Sequence, residues 1–528
     1  MPMAEAPPRD AAQVTAAGNI EQLLAQRLGL PFITLAGKVP SPGALAMVPA
    51  ELAYARSILP LDVHGDVLRV ALADPADADT IHLLQFLAGK RLQLFVAARA
   101  DLDRAIASHY GDSHGADLFE VSKDDEIVET PQAAARPSVP DEQRYMLRPI
   151  VRLVAHILTM AVRRGASDIH IRPGEGDVDL VFRIDGVLVP IRTFSQSLLP
   201  MVVGRIKILG AMDITERRLP QDGQARIGVN GRMVDLRIST IPTIHGESVV
   251  IRLLNTSIAM KSIADLGLSP QDAARLADAC ERNQGMVLVT GPTGSGKSTT
   301  LYAALNSILQ RNVNIITVEN PVEYHIPGVE QVPINAEVGL TFSRVLRNIL
   351  RHDPDVIMVG EIRDHETAKI AVESALTGHL MLSTLHTNSA AATIARLLEM
   401  DVEAYLIRAT LLCILSQRLV RLICPDCKAP DAVDPSLRQA MGLGEGEVFY
   451  AGRGCPACNG TGSRGRRMTY ELLFVTPAMR QLIVDDADSD AINAQAEADG
   501  MVPLPRHAVE LARQGLIPLN EAYRMRAD

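Results

Sequence analysis

The sequence contains no tryptophan, and all aromatic residues together make up 3% of its 528 residues. Proteins that bind single-stranded nucleic acid stack the bases on aromatic side chains, and this chain offers few such platforms. Its formal net charge of −10 also opposes the counterion release that drives general binding to nucleic acid. We therefore predict that nucleic acid is not a partner.

Long uncharged apolar runs are absent as well. A membrane-spanning helix needs about 18 or more consecutive apolar residues, and the sequence contains no such run. The first ten residues carry proline and acidic residues instead of a basic stretch followed by an apolar one, so they do not indicate a secretory signal. We expect a cytoplasmic protein whose contact with any membrane is indirect.

Cysteine is also sparse, with six residues in the whole chain. Four of them form two tight pairs, Cys424 with Cys427 and Cys455 with Cys458. In a reducing compartment such pairs favour a metal over disulfides, and four thiolates suit a closed tetrahedral Zn²⁺ site. The alternative is that these cysteines are unliganded or redox-active. We predict a structural zinc site.

The chain has enough apolar residues, 47% against 22% charged, to form several folded domains. Periodic apolar patterns and a Pro- and Ala-rich stretch near residue 135 indicate six segments. In order, we predict a small α/β domain, a flexible linker, a domain with a sheet and helices, an α/β domain with a parallel sheet, a tetracysteine segment and a carboxy-terminal helical segment. Their boundaries are 1–112, 113–143, 144–256, 257–421, 422–467 and 468–528.

A phosphate-binding loop is the most informative motif. The pattern from Gly291 to Ser298, Gly-x-x-x-x-Gly-Lys-Ser, follows an apolar strand that ends at Thr290 and precedes a helical pattern. In this motif backbone N–H groups face the phosphates, Lys297 supplies charge to the β- and γ-phosphate oxygens, and Ser298 offers its hydroxyl to Mg²⁺. The predicted nucleotide-binding residues are Gly291, Pro292, Thr293, Gly294, Ser295, Gly296, Lys297, Ser298 and Thr299.

Acidic residues follow two further apolar strands. Glu361 comes after the strand Val356–Val359, and Glu319 and Glu323 follow a strand that ends at Val318. In a parallel sheet these groups emerge at the carboxyl edge beside the phosphate loop, where open α/β sheets bind ligands. We predict that Glu361 and Glu323 position Mg²⁺ and accept the proton of the attacking water. The alternative is that each is a solvated loop acid.

Two histidines flank the apolar run Leu380–Leu382. His379 precedes it in Thr-Gly-His, and His386 follows it in Leu-His-Thr-Asn. A core or capping histidine is the more common role for such a residue. Polar Thr, His and Asn residues at the ends of a predicted strand favour a phosphate-sensing role here.

These motifs occur in order along residues 145–475 and together resemble the secretion ATPases of type II secretion and type IV pilus assembly, the GspE/PilB group. The resemblance implies a RecA-like P-loop NTPase core of α/β class, preceded by a PAS-like α+β domain and a small amino-terminal α/β domain, with a zinc-binding insert. It assigns Glu361 to the Walker B element. It assigns Glu319 and Glu323 to an acidic box, and His379 and His386 to histidine boxes.

Position 320 departs from the family pattern. The acidic box of the family usually reads Glu-Asp-Pro, and this chain has Asn320 in place of the aspartate. The missing carboxylate shifts the catalytic role towards Glu323 and Glu361. The sequence leaves open which of these two is the base.

The resemblance also implies arginines close to the nucleotide. In such enzymes the PAS-like domain packs over the nucleotide site and supplies arginines that correspond to Arg237 and Arg252, while Arg347 and Arg351 belong to the ATPase domain. A well-placed arginine can accelerate phosphoryl transfer by about 10³- to 10⁵-fold. The alternative is that these are ordinary surface or structural arginines.

The family resemblance implies a homo-hexameric ATPase that uses ATP, Mg²⁺ and Zn²⁺ and powers protein secretion. Its amino-terminal domain is expected to bind inner-membrane platform proteins, which would place it peripherally on the cytoplasmic face of the bacterial inner membrane. The turn 219–223 and the His-Gly-Glu sequence at 245–247 favour type II secretion over pilus extension. Pilus extension, a RecA-like nucleic-acid motor and a regulatory module with little turnover are the alternatives.

Overall fold

The computed structural model describes residues 21–110, 128–129, 148–229, 231–255 and 261–526. The chain divides into two compact units, Met1–Asn255 and Thr256–Asp528. The predicted linker, 113–143, lies outside the described residues except for a short strand at Val128–Glu129. Within the described ranges, no helix has both the length and the apolar character needed to cross a bilayer.

The first unit begins with a small three-stranded sheet. Its strands are β1 (Ile58–His64), β2 (Val67–Leu72) and β3 (Arg91–Val96), with β1 and β2 antiparallel and β2 and β3 parallel. The strand predicted at β2 is confirmed. The accompanying helices comprise residues 21–28, Pro42–Leu45, Ala50–Arg56, Ala78–Ala88 and Arg99–Tyr110.

The rest of the first unit is a seven-stranded antiparallel sheet with the order β4-β8-β9-β10-β5-β6-β7. Its strands are β4 (Val128–Glu129), β5 (Ala166–Pro173), β6 (Asp177–Ile184), β7 (Val187–Ser195), β8 (Gln221–Val229), β9 (Arg232–Thr243) and β10 (Gly246–Asn255). Two helices, Arg148–Arg163 and Leu199–Leu209, accompany this sheet. The first helix buries Ile150, Val154, Ile157 and Ala161 because their spacing places them on one face.

The second unit contains a seven-stranded sheet with the order β13-β12-β14-β15-β11-β16-β19, parallel except for β19. The strands of this sheet are β11 (Gly285–Thr290), β12 (Ile315–Glu319), β13 (Glu330–Pro333), β14 (Val356–Val359), β15 (Leu380–Leu385), β16 (Leu411–Ile423) and β19 (Ser463–Phe474). Two further strands, β17 (Lys428–Pro430) and β18 (Tyr450–Gly452), form a separate antiparallel pair. All residues of β11, β12, β14 and β15 are buried. Continuous apolar runs predict this burial, because a parallel sheet is covered on both faces.

The helices of the second unit connect these strands and continue beyond them. They are Pro270–Cys280, Lys297–Ile308, Phe342–Ile349, His365–Leu376, Ala390–Glu399, Ala404–Thr410, Pro435–Met441, Pro477–Leu482, Ser489–Ala498, Leu504–Arg513 and Leu519–Arg524. Because β11, β12, β14 and β15 are parallel, the loops that follow them meet at one edge of the sheet, which we call the carboxyl edge.

The tetracysteine segment is an excursion between two paired strands of the central sheet. Strands β16 and β19 pair along most of their length, from Cys413 opposite Phe474 to Ile423 opposite Ser463. The boundaries predicted after residues 421 and 467 therefore fall inside these two strands. The cysteine spacing indicated the insert, but the pairing of strands about 50 residues apart is a tertiary feature.

Candidate functional site

The phosphate loop occupies the carboxyl edge directly after β11. Residues 291–296 form the loop, and the helix Lys297–Ile308 begins immediately behind it, as the motif predicts. Strand β15 lies on one side of β11 and β16 on the other. The start of this helix therefore presents its free backbone N–H groups at the edge where the neighbouring strands also end.

Lys297 is folded back onto its own loop. Its Nζ donates hydrogen bonds to the carbonyl oxygens of Gly291 at 2.8 Å and Pro292 at 3.2 Å. Burial lowers the pKa of Lys297, and the carboxylate of Glu361 opposes that shift. The predicted Walker B residue therefore acts electrostatically on the lysine that follows the phosphate loop. Lys297 is thus held ready at the place where an anionic ligand would replace the two carbonyl partners.

Gly291 has to be glycine for a steric reason as well as a conformational one. Its φ is 140°, and a Cβ at this position would overlap the carbonyl oxygen of Gln417 and the side chain of Ser295. Strand β16, which carries Gln417, therefore packs directly against the start of the loop.

We predict that Gly291→Ala lowers the melting temperature of the nucleotide-free protein, because the overlap adds about 1–3 kcal/mol to the strain of the backbone conformation. Gly294→Ala is the matched control, since Gly294 also has a positive φ, 79°, but its Cβ would meet no atom within 4 Å. Scanning calorimetry without nucleotide compares the two. Equal melting temperatures for the two variants would contradict the steric argument.

Glu361 joins a small polar cluster at the carboxyl edge. It follows β14, and its carboxylate contacts the guanidinium of Arg363 at 2.8 Å and Nε2 of His386 at 3.3 Å. The side chain of Glu361 is 13% exposed, whereas those of Arg363 and His386 are 68% and 46% exposed. The structure thus brings together two predicted residues from adjacent strands. Arg363 was not singled out from the sequence, although it stands two residues after Glu361 in the same motif.

Hydroxyl groups hold the His386 loop against the end of β11. The side chain of Thr290 contacts the carbonyl and hydroxyl oxygens of Thr387, and Thr387 in turn contacts Thr393 at 2.6 Å. The buried carboxylate of Glu471 accepts hydrogen bonds from the backbone N–H groups of Ala390 at 2.7 Å and Leu504 at 3.0 Å. These contacts anchor the residues that follow His386 and restrict where its imidazole can lie.

Glu319 is buried, and both of its carboxylate oxygens have partners. It accepts hydrogen bonds from the hydroxyl of Tyr302, the hydroxyl of Thr317 at 2.7 Å and the side-chain amide of Gln331 at 3.1 Å. It is therefore not the solvated loop acid considered as an alternative. Burial raises the pKa of Tyr302, and its bond to Glu319 adds to this effect.

Glu323 lies in the loop between β12 and β13, four residues after Glu319. Its backbone N–H donates to the hydroxyl oxygen of Tyr302 at 3.3 Å, and its side chain is half-buried. Tyr302 belongs to the helix behind the phosphate loop. The Glu323 segment is therefore attached to that helix through one phenol group.

His379 lies apart from this cluster. It directly precedes β15, whereas His386 directly follows it, so the two histidines stand at opposite edges of the sheet. The Nδ1 atom of His379 is 3.0 Å from the carbonyl oxygen of Ser374, and its own carbonyl accepts from Gly285 at the start of β11. His386 joins Glu361, and His379 does not.

Arg347 and Arg351 also make contacts away from Glu361. In the described part of the chain, Arg347 donates to the carboxylate of Glu366, and Arg351 donates to Asn348 and to the main-chain oxygen of Arg347. Both lie on or just after the helix Phe342–Ile349. The contacts described for Arg347 and Arg351 are thus with residues of the same helix or of the helix that follows it.

Arg237 and Arg252 lie in the first unit, directly opposite one another in β9 and β10. The row continues through Asp168 in β5 to Arg183 in β6. Asp168 contacts Arg252 at 3.0 Å and Arg183 at 3.6 Å. Paired residues of antiparallel strands share a face, and like charges placed opposite each other repel. The row therefore carries three guanidinium groups and one carboxylate, and this excess of positive charge makes it suitable for an anion.

The four predicted zinc ligands converge. Their sulfur atoms all lie within 4.8 Å of one another, with Sγ–Sγ distances of 3.8 Å for Cys424–Cys455, 3.9 Å for Cys427–Cys458 and 3.7 Å for Cys455–Cys458. Tetrahedral coordination with Zn–S bonds of about 2.3 Å requires sulfur atoms about 3.8 Å apart. The donor set and its spacing therefore fit Zn²⁺.

The backbone around the cysteines is built for this geometry. Short 3₁₀ turns at Pro425–Cys427 and Pro456–Cys458 form two knuckles, and Cys458 Sγ accepts from the N–H groups of Cys455 and Gly462 at 3.2 Å each. Burial raises the pKa of Cys458, but these N–H groups, together with hydrogen bonds to the thiols of Cys455 and Cys427, outweigh burial and lower the pKa to about 6. Gly452 and Gly462 pass so closely that a Cβ on either would overlap the other residue's backbone.

Comparison with known proteins assigns both parts of the chain to described families. Residues 143–524 match the family model for type II/IV secretion system proteins, and residues 28–116 match the MshEN domain. The crystal structure of the pilus retraction motor PilT with bound ADP is similar, with a TM-score of 0.50 and 29% identity over 71% of this chain and 96% of PilT.

Curated relatives come from both branches of these machines. The type IV pilus assembly ATPase PilB of Thermus thermophilus is 40% identical over 95% of this chain. The matched region covers 57% of the length of that relative. PilB of Myxococcus xanthus is 39% identical over 95% of this chain and 90% of its own length. The type II secretion system protein E of Pseudomonas aeruginosa is 42% identical over 79% of this chain and 84% of its own length.

Proposed function

The chain belongs to the type II/IV secretion system protein family, a family of ATPases, and from this premise we propose that it hydrolyses ATP as a homo-hexamer to power protein secretion through a type II secretion system. The observation that carries the proposal is the meeting of Lys297, Glu361 and His386 at one edge of a parallel sheet. This edge supplies a phosphate cradle, a carboxylate and a polar group next to that carboxylate.

In the proposed reaction Lys297 exchanges its two carbonyl partners for the β- and γ-phosphate oxygens of ATP. Ser298 at the start of the helix and Glu361 would hold Mg²⁺, which neutralises phosphate charge when bound. Glu361 or Glu323 takes the proton from the attacking water, and a carboxylate base of this kind contributes about 10²- to 10⁴-fold in rate. His386, 3.3 Å from Glu361, orients that carboxylate and contacts the γ-phosphate.

Two further groups complete the proposal. The row that contains Arg237 and Arg252 has an excess of positive charge, which supports its predicted role in neutralising the γ-phosphate. The tetracysteine cluster is assigned a structural role, because all four tetrahedral positions would be filled by thiolates. Partner binding to inner-membrane platform proteins is assigned to the amino-terminal domain.

Turnover of Mg·ATP by the purified full-length chain tests the proposal, with Lys297→Ala as the control. We expect phosphate release by the wild type that depends on Mg²⁺ and is lost in Lys297→Ala, because that variant lacks the charge which contacts the phosphates. Addition of DNA or RNA should leave the rate unchanged, as expected from the charge of −10. Equal turnover of wild type and Lys297→Ala would refute ATP hydrolysis at this site.

Pilus extension is a second candidate function. The two pilus ATPases match 95% of this chain, whereas the type II secretion protein of Pseudomonas aeruginosa matches 79%. Deletion of the gene separates the two functions. Loss of secreted proteins from the culture medium with intact surface pili supports type II secretion, and loss of pili with normal secretion supports pilus extension. A Lys297→Ala chain should fail to restore either phenotype.

A further inference from the structure

Gln417 is a buried amide that contacts the phosphate loop from the neighbouring strand. It lies in β16, one residue beyond the point at which Thr290 of β11 pairs with Ser416, and it is 1% exposed. Its Nε2 donates to the carbonyl oxygen of Ser295 at 2.8 Å, and its Oε1 accepts from the hydroxyl of Thr300 at 2.7 Å. One side chain therefore joins the loop to the first turn of the helix behind it.

The two hydrogen bonds define the orientation of this amide. The carbonyl oxygen of Ser295 can only accept, so the nitrogen of Gln417 has to face it. Thr300 then donates to the amide oxygen, which satisfies both ends of the side chain. The main-chain oxygen of Gln417, in contrast to its side-chain amide oxygen, lies against Gly291 at the start of the loop. The same residue thus contacts the beginning of the phosphate loop, its end at Ser295 and the first turn of the helix that follows.

We propose that Gln417 is a positioning residue that pre-organises the phosphate loop for nucleotide. The inference deepens the function proposed above and rests on it. A loop that is already held in its binding conformation does not lose that conformational freedom when the ligand binds, which favours affinity. Without the Gln417 amide, the buried oxygens of Ser295 and Thr300 lose their partner, and the loop can leave this conformation to find others.

Two substitutions remove the contact with little change in volume. Gln417→Met removes both hydrogen bonds, and Thr300→Val removes the one to the amide oxygen. Thr300→Ser is the conservative variant that keeps a hydroxyl. Thr410→Val is the matched control, because Thr410 is equally buried and its hydroxyl donates to Leu406 within its own helix, in a different part of the second unit.

The measurements are the Kd for Mg·ADP by calorimetry, the melting temperature without nucleotide, and the KM and kcat for ATP. The loss of one or two buried hydrogen bonds should weaken Mg·ADP binding by about tenfold in Gln417→Met and Thr300→Val. We expect Thr300→Ser and Thr410→Val to bind like the wild type. In Gln417→Met and Thr300→Val the KM for ATP should rise, while kcat at saturating ATP stays within about twofold. Bound nucleotide holds the loop in its binding conformation even without the amide contact.

A purely structural role would give a different result. It would lower the melting temperature and leave the Kd of the folded protein unchanged, and that outcome in both Gln417→Met and Thr300→Val overturns the inference. If Gln417→Met does not fold, the comparison of Thr300→Val with Thr300→Ser decides alone. A wild type that binds Mg·ADP without hydrolysing ATP refutes the proposed function, while the Kd values still test Gln417.

Discussion

A Glu361→Gln variant is expected to bind ATP about as tightly as the wild type and to hydrolyse it about 10²- to 10⁴-fold more slowly. The amide has nearly the same shape as the carboxylate, so the contacts with Arg363 and His386 can remain in modified form. It cannot accept a proton from water and is a much weaker ligand for Mg²⁺. Single-turnover hydrolysis and the Kd for ATP measure the two effects separately.

Glu399→Gln is the control for this substitution. Glu399 is an exposed acid at the end of the helix Ala390–Glu399, where it pairs with Arg396 at 2.9 Å. It should leave turnover unchanged. Wild-type turnover in Glu361→Gln would remove Glu361 from the mechanism.

The choice of the base follows from a parallel measurement with Glu323→Gln. The variant that has lost the base shows a lower kcat at every Mg²⁺ concentration, and excess Mg²⁺ does not restore it. The variant that has lost a group that positions the metal needs more Mg²⁺ for half-maximal activity. This comparison decides the question that Asn320 raises, because the chain has no aspartate at that position to share either role.

The second large effect is expected for the cysteine cluster. The freshly purified protein should contain about one Zn²⁺ per chain, and Cys424→Ser or Cys458→Ser should lose it. Apparent binding free energies of structural Zn²⁺ are about 10–16 kcal/mol in small metal-dependent domains, so its removal should unfold the segment between the knuckles. Trypsin should then cleave after Lys428 or Arg453, which lie next to the cysteines.

The remaining two cysteines provide the control. Cys280 and Cys413 are buried and lie outside the cluster, so Cys280→Ala should retain zinc and resist trypsin in the 424–462 segment. Elemental analysis of the metal content and limited proteolysis followed by mass spectrometry test this prediction. A zinc content near zero in the wild-type protein, or full zinc content in Cys458→Ser, would show that the four thiolates do not hold the metal.

The order of strands and helices in the second unit follows closely from the sequence. The predicted strands at Met286–Thr290 and Val356–Val359 are confirmed, because fully buried strands appear as continuous apolar runs. The placement of Glu361 and His386 at one edge follows from the same pattern, since parallel strands that alternate with helices end on the same side.

Other site features could not be predicted from local pattern. The sequence places Glu319 directly after a predicted strand, but it does not show that this carboxylate is buried. Its hydrogen-bond partners Tyr302, Thr317 and Gln331 come together around it only in the folded sheet. Likewise, His379 and His386 flank the same strand, and the sequence pattern does not distinguish their roles. The direction of β15 separates them by the full length of a strand.

The sequence by itself predicted the phosphate loop and the four cysteines whose sulfur atoms converge in the structure. The phosphate loop and each Cys-x-x-Cys pair are short motifs whose geometry depends on neighbouring residues, so their spacing alone indicates them. Only the tertiary structure decided which side chains support them: Gln417 reaches Ser295 across 122 positions of the chain, and β16 pairs with β19 around the cysteine insert. Such contacts depend on which strands become neighbours, and that is set by the packing of the whole sheet.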